Sequence, residues 1–96
     1  MRTVREDDEY RKMASAIEPD ARRFDDIQDG IKWAIAINAE GFGIPVPGTI
    51  LRVVATTRYF LPEIQSLWFY YSIDDEHTCT LRAVHVAPEE AGENGQ

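Results

Sequence analysis

The chain has 96 residues, with 17 acidic and 10 basic side chains and a net charge of −7. Nucleic-acid binding depends on lysine and arginine side chains that neutralise phosphates, so this charge predicts weak or no direct nucleic-acid binding. No apolar run approaches the roughly 20 residues of a membrane helix, and the N-terminal residues lack a signal-peptide core, so we expect a cytosolic protein without membrane contact. The length suits one domain at residues 1–87, followed by a disordered acidic tail at residues 88–96.

Apolar residues at helical spacing predict two helices in the N-terminal half of the chain. The first helix has one apolar stripe, formed by Tyr10, Met13, Ala14 and Ile17. The second helix starts at Asp20 or Asp25, ends near Asn38 and is apolar on two sides. One side carries Phe24, Ile27, Ile31, Ala34 and Ile35. Trp33 and Ile37 lie on the other side, so we expect this helix to pack between the sheet and the first helix.

After a Gly/Pro-rich break at residues 38–48, the apolar period changes to two, which predicts β-strands. The predicted strands of an antiparallel meander are Ile50–Thr57, Leu67–Ile73 and Thr78–Ala87. Residues 74–77 are predicted to form a hairpin turn, and residues 58–66 a longer link. The predicted fold class is therefore α+β, with two N-terminal helices packed on an antiparallel sheet of three to four strands. The pattern leaves open whether Met1–Arg5 add a strand.

Alternation along the strands predicts which side chains point away from the core. With Leu51, Phe69 and Leu81 as the core strip, the opposite face carries Arg52, Trp68, Tyr70 and Arg82. Tryptophan and tyrosine on an open sheet face are common anchors for protein partners, so these four are the predicted partner-binding residues. The alternative is that both faces of the sheet are covered and the aromatic rings are simply packed.

A catalytic hypothesis uses a different combination of residues. Arginine can stabilise a phosphorane-like transition state, histidine titrates near neutrality and tyrosine can stack on a base. The candidate catalytic residues of a ribonuclease are Arg52, Tyr71 and His85, with Arg58 and Tyr59 in the link nearby. No acid is spaced to orient His85, so a structural role for this histidine is the alternative.

The sequence predicts neither a metal site nor a cofactor. The turn at residues 74–77 carries four side chains that can bind metals, but adjacent residues on one turn rarely converge on a single ion, so we expect a solvated turn. Cys79 is the single cysteine and can form neither an internal disulfide nor a cysteine-based zinc site. At a strand position it is predicted to be a small buried side chain.

The order of two helices, a Gly/Pro break and a three-stranded meander resembles the RelE/ParE superfamily of toxins from type II toxin–antitoxin systems. The resemblance covers roughly residues 24–86. Its most recognisable parts are Gly30–Trp33 in the second helix and Tyr71–Glu76, which looks like the family's hairpin of tyrosine, any residue, a hydrophobic residue and two aspartates. The resemblance matches Arg52 to a basic residue on the first meander strand and Tyr71 to the hairpin tyrosine.

This resemblance implies a small toxin that is held inactive by an antitoxin wrapped around it. RelE-like members cleave mRNA on the ribosome, whereas ParE-like members act on DNA gyrase and lack the nuclease residues. Here Trp68 stands where an arginine commonly precedes the tyrosine by three residues, and the last strand lacks the usual terminal basic residue or tyrosine. We therefore expect a toxin-like component that binds a protein partner and is neutralised by a cognate antitoxin.

Two alternatives remain open from the sequence. The first is a ribosome-dependent or weak mRNA endoribonuclease of the RelE type, which would use the catalytic candidates named above. The second is a self-associating structural or regulatory protein, in which the aromatic sheet face closes a homodimer. Assays of RNA cleavage and of molar mass against concentration distinguish these hypotheses from binding of a small antitoxin.

Overall fold

The computed structural model describes residues 1–17, 23–56 and 66–86, which form two helices and one five-stranded sheet. The helices are α1 (Asp8–Ile17) and α2 (Phe24–Phe42). The strands are β1 (Thr3–Glu6), β2 (Ile44–Pro45), β3 (Leu51–Ala55), β4 (Leu67–Ile73) and β5 (Thr78–Val86). Neither helix in these ranges is long and apolar enough to cross a membrane. The predicted acidic tail at 88–96, and Arg58 and Tyr59 of the link, lie outside the described residues.

The sheet is mixed and has the strand order β1-β5-β4-β3-β2. The predicted meander is present as β3, β4 and β5, which pair antiparallel in sequence order. The prediction of three to four antiparallel strands is corrected to five, because β1 adds to one edge in parallel with β5 and β2 adds to the other. β2 has only two residues and ends at Pro45, which suits an edge strand because proline cannot donate to a further ladder.

Local signals in the sequence account for where α1 begins. The backbone N–H of Tyr10 donates to the Asp7 carboxylate at 2.9 Å, which satisfies one of the free donors of the first turn. Asp8 and Glu9 follow in that turn, where negative charge interacts favourably with the helix dipole. The predicted apolar stripe is confirmed: Tyr10 and Ala14 are buried, and Met13 and Ile17 pack against the same core.

Both helices pack on one face of the sheet, which we call the inner face. Its core joins α1 and α2 to β3, β4 and β5 through buried side chains, among them Ile27, Ile31, Ile35, Val54, Leu67, Leu81 and Val84. Phe69 lies at the centre, with ring centroids 6.5 Å from Tyr10 and 6.2 Å from Phe24. Burial of this many apolar side chains is the main source of stability for the fold.

The predicted position of α2 between the sheet and α1 is wrong. α1 packs against β5 rather than over the outer side of α2. As a result, Trp33 is 65% exposed and Ile37 is 50% exposed, although the opposite side of the helix is fully in the core. The helix is apolar on two sides, and the described part of the chain covers only one of them.

The predicted core strip is also corrected in β3. Arg52 pairs with Tyr71 and Val54 pairs with Phe69, which places these two β3 side chains on the inner face. Val54 is buried, whereas Leu51 is only half-buried and shares the other face with Val53 and Ala55. Because both sets of alternate residues in β3 contain apolar side chains, the pairing with β4 decides which set faces the core.

A β-bulge changes the phase of β5. Tyr70 pairs with Ala83 and Tyr71 pairs with Leu81, so Arg82 is an extra residue between two consecutive pairs. Beyond this point Val84 is buried instead of Ala83. Strict alternation would place Ala83 and His85 on the same face as Cys79 and Leu81, and the bulge ends this alternation after Leu81.

Candidate protein-binding face

The sheet has an outer surface, which we call the open face, that neither described helix covers. Cross-strand pairs align Ile44, Val53, Tyr70 and Ala83 in one row. A second row contains Ala55, Trp68 and His85. Leu51 lies at the end of the face, opposite Ser72. The buried side chains of α1, and those of α2 apart from Ala36, belong to the core on the inner face. The open face therefore contains a contiguous apolar and aromatic surface.

An aromatic cluster forms the centre of this surface. The His85 ring lies 5.4 Å from the Tyr70 ring in a stacked arrangement and 5.7 Å from the Trp68 ring in a tilted one, measured between centroids. Trp68 and Tyr70 are half-buried, and His85 is exposed. Trp68 and His85 are a cross-strand pair, and Tyr70 projects two residues further along β4 on the same face. The sheet therefore holds the three side chains in a fixed arrangement before any partner binds.

Arg82, a predicted partner-binding residue, lies at the polar border of the open face. Its Nε donates to Ser72 Oγ at 3.0 Å, and its Nη1 and Nη2 lie 3.3 Å from an Asp7 oxygen and 3.7 Å from an Asp74 oxygen. Thr80 and Ser72 in turn donate hydrogen bonds to the Asp74 carboxylate. Two carboxylates therefore balance the charge of Arg82 and hold the guanidinium beside the bulge.

Arg52, predicted on the open face, lies on the inner face instead. Its Nη2 donates to the carbonyl oxygens of Glu40 at 2.6 Å and Gly43 at 3.1 Å. These carbonyls lie at the C-terminal end of α2, where backbone acceptors have no partner within the helix and where positive charge is favourable. The short-range pattern of β3 does not reveal this role, because the carbonyls come from a different element.

Tyr71 shares this cluster with Arg52 and is fully buried. Its hydroxyl donates to the Ala39 carbonyl at 2.6 Å and accepts a bond from the Gly43 N–H at 2.9 Å. Burial raises the pKa of the Tyr71 phenol above its ordinary value of 10.0. The side chain therefore joins β4 to the end of α2 and does not reach solvent.

The three predicted catalytic residues are not brought together. Arg52 and Tyr71 are neighbours on the inner face, where both bond to the backbone of α2 and its C-terminal cap. His85 lies on the open face, on the opposite side of the sheet. A nuclease that needs all three around one phosphate therefore lacks the geometry in this part of the chain.

The turn at residues 74–77 is organised by Asp75. One oxygen of its carboxylate accepts hydrogen bonds from the backbone N–H groups of His77 and Thr78 and from the Thr78 hydroxyl. These bonds lower the pKa of the Asp75 carboxyl. Within the described ranges no three histidine, cysteine or acidic side chains are grouped to hold a metal ion. The prediction that Cys79 is buried is confirmed, and its burial raises the pKa of the thiol.

The ion pair between Arg2 and Glu40 predicts how stability depends on pH. Arg2 donates to both Glu40 oxygens, at 3.0 and 2.6 Å, which lowers the pKa of that carboxyl from its ordinary value of 4.5. A carboxyl whose pKa is lower in the folded state contributes stability above its unfolded pKa and loses it as the pH falls through the folded pKa. We expect Glu40→Gln to destabilise the fold near pH 7 and to have a smaller effect near pH 3, where protonation of Glu40 weakens the ion pair. Urea unfolding of both proteins across that range checks this; an equal difference at both ends would contradict it.

The chain was also compared with known proteins. Neither a comparison with models of protein families nor one with curated proteins finds a match.

Proposed function

We propose that this chain is the toxin-like component of a type II toxin–antitoxin pair and acts by binding a protein partner, with a cognate antitoxin that neutralises it. The observation that carries the proposal is the Trp68–Tyr70–His85 cluster on a sheet face that neither described helix covers. The resemblance of the element order to RelE/ParE toxins supports the toxin class. The open face is the surface that we assign to the small antitoxin.

The chemistry of the open face favours a protein over RNA. Phosphate recognition needs lysine or arginine, and the two rows at the centre of the open face contain neither. Arg5 of β1, paired with Thr80, lies on this side of the sheet but on the edge strand. Arg52 is on the inner face, and Arg82 at the border is paired with Asp7 and Asp74. Rigid aromatic side chains surrounded by small apolar residues are instead typical of the centre of a protein–protein interface.

The first test is growth of a bacterial culture after induction of this protein alone and together with the small gene next to it. The proposal expects growth arrest that the neighbouring product relieves, and a tight complex of the two when they are purified together. Failure of the neighbour to co-purify would contradict the proposal. Separate assays of translation and of DNA supercoiling would then distinguish the ribosome from DNA gyrase as the target.

We expect Trp68→Ala to weaken this complex by about 30-fold or more, which is the factor that corresponds to roughly 2 kcal/mol at an aromatic hot spot. Trp33→Ala provides the matched control, because it removes an exposed tryptophan from a different element. Affinity measured by calorimetry, with folding checked by circular dichroism, separates the two variants. If Trp68→Ala and the unmodified protein bound with equal affinity, the open face would not be the surface that binds the partner.

The alternative function, an endoribonuclease, is tested by an RNA-cleavage assay on the same purified protein. RNA incubated with the purified chain, and with ribosomes, should remain intact, because Arg52 and Tyr71 are both hydrogen-bonded to the backbone at the C-terminal end of α2. Cleavage that is lost in a folded Arg52→Ala variant would establish the endoribonuclease instead.

A further inference from the structure

Helix α2 presents a second apolar surface, formed by Gly30, Trp33 and Ile37. At about 100° per residue these three positions lie within roughly 60° of one another around the helix. Trp33 and Ile37 are among the most exposed large apolar side chains in the described ranges, at 65% and 50%. Around Gly30 the space is open, because a Cβ atom placed there would meet no atom within 4 Å. We call this surface the α2 stripe.

The α2 stripe is separate from the open face. It lies on the side of α2 that points away from the core, and the sheet with its inner-face core stands between it and the Trp68–Tyr70–His85 cluster. A helix with two apolar sides is ordinarily covered on both, but here α1 packs on β5 instead. The described part of this chain therefore leaves the α2 stripe uncovered.

We propose that the α2 stripe binds the same stripe of a second copy, with the two α2 helices antiparallel about a two-fold axis. An isologous dimer needs one surface that is complementary to itself. The stripe has this property, because Gly30 is a gap and Trp33, about one turn along the helix, is a large projecting ring. A two-fold axis midway between the two residues places each Trp33 over the partner's Gly30. A glycine at this point also allows the two helices to approach within the usual 8–10 Å.

The charges along α2 favour the antiparallel arrangement. Asp26 and Asp29 are exposed in its N-terminal half, where Asp26 is paired with Arg23 and lies about one turn before Gly30, within the arc of the α2 stripe. Glu40, in the C-terminal half, is paired with Arg2. A parallel dimer would bring the aspartates of one copy against those of the other. With the two-fold axis midway between Gly30 and Trp33, the antiparallel dimer instead places Asp26 opposite the partner's Ile37 and Asp29 opposite the partner's Ala34. Like charges are then kept apart, and the two helix dipoles oppose one another. This inference does not depend on the proposed toxin function.

The size of the contact predicts a weak dimer. A single pair of helices buries less than the roughly 1,200–2,000 Å² of a stable interface, so we expect dissociation constants in the micromolar range. Sedimentation equilibrium of the full chain from about 1 to 500 µM, which brackets that range, should show the mass rise from monomer towards dimer. A monomer at every concentration would overturn the proposal.

Substitutions on the surface test which face forms the dimer. We expect Trp33→Ser and Gly30→Gln each to weaken association at least 10-fold, the first by removing the ring and the second by filling the gap. Both positions are exposed, and glutamine is a better helix former than glycine, so the monomer should stay folded. The matched control is Ile50→Ser, which removes a similarly exposed apolar side chain, 74% against 65% for Trp33, from another part of the surface. Association that survives Trp33→Ser would overturn the proposal.

Tryptophan fluorescence reports on the interface directly, since the chain has only Trp33 and Trp68. In a Trp68→Phe variant, emission comes from Trp33 alone and should shift to shorter wavelength as the protein is concentrated and the ring leaves water. The reciprocal variant, Trp33→Phe, reports on Trp68. A shift in Trp68 emission with none in Trp33 would assign the dimer to the open face and overturn the proposal.

Discussion

Replacing Tyr71 by phenylalanine is expected to lower the free energy of unfolding by about 2–4 kcal/mol. The Tyr71 hydroxyl satisfies two backbone groups at the end of α2, the carbonyl of Ala39 and the N–H of Gly43. A buried polar group that loses its partner costs about 1–3 kcal/mol, and this substitution leaves two of them without one. Urea unfolding at pH 7, compared at constant m-value, measures the loss.

Tyr70→Phe is the control, because Tyr70 lies next to Tyr71 in the sequence but on the open face. This change should cost less than about 0.5 kcal/mol, as expected for a surface substitution. Gly43→Ala tests the same cluster from the other side, because a Cβ atom at Gly43 would lie 2.7 Å from the Tyr71 hydroxyl oxygen. If Tyr71→Phe were as mild as Tyr70→Phe, the hydroxyl would not be holding the end of α2.

The roles of Tyr71 and Arg52 depend on the fold and not on their residue types. A tyrosine and an arginine in a strand pair suggest phosphate chemistry when only residue types are known. In the fold, both side chains are used to satisfy the backbone at the C-terminal end of α2. Helix-terminal carbonyls need partners from elsewhere in the chain. The need arises from the tertiary arrangement, so no pattern within β3 or β4 reveals it.

The sequence correctly predicts which side is buried in those elements where one regularly spaced set of residues is clearly the more apolar. The stripe of α1 and the long inner side of α2 are buried as expected, and the strand at Leu67–Ile73 has its predicted bounds. In each of these segments one regularly spaced set of side chains is the more strongly apolar, although α2 and β4 also carry large apolar side chains on the other side. The hydrophobic effect then decides the orientation without help from neighbouring elements.

The same reasoning fails where both sides of an element are apolar or where pairing is non-local. β3 carries apolar residues at successive positions Val53 and Val54, so alternation cannot choose the inner face, and its register with β4 decides instead. The bulge at Arg82 is a property of the β4–β5 pair and reverses the phase of the residues after it. β1 forms a strand because it pairs with the edge of β5, which lies more than 70 residues later in the sequence.

Phe69 and Trp68 are adjacent in β4, but replacing each with alanine should have a different main effect. The Phe69 variant should lose stability, and the Trp68 variant should lose partner binding. Phe69→Ala is expected to lower the free energy of unfolding by about 3–5 kcal/mol, the usual cost of removing a phenyl ring from a core. Phe69 is fully buried and contacts the rings of Tyr10 and Phe24, so the cavity would lie where both helices meet the sheet. This loss is a large fraction of the roughly 5–15 kcal/mol that stabilises a typical domain.

Trp68→Ala should cost only about 1 kcal/mol, because its half-buried ring contacts His85 on the open face and contributes nothing to the core. Both variants should be measured by urea unfolding and by affinity for the neighbouring gene product. Phe69→Ala should show the larger loss of stability, and Trp68→Ala should lose binding while remaining folded. Phe69→Leu, which keeps most of the volume, separates the effect of the cavity from that of the ring contacts. Equal destabilisation by Phe69→Ala and Trp68→Ala would mean that Trp68 is packed as a core residue, and the open face would then be unavailable to a partner.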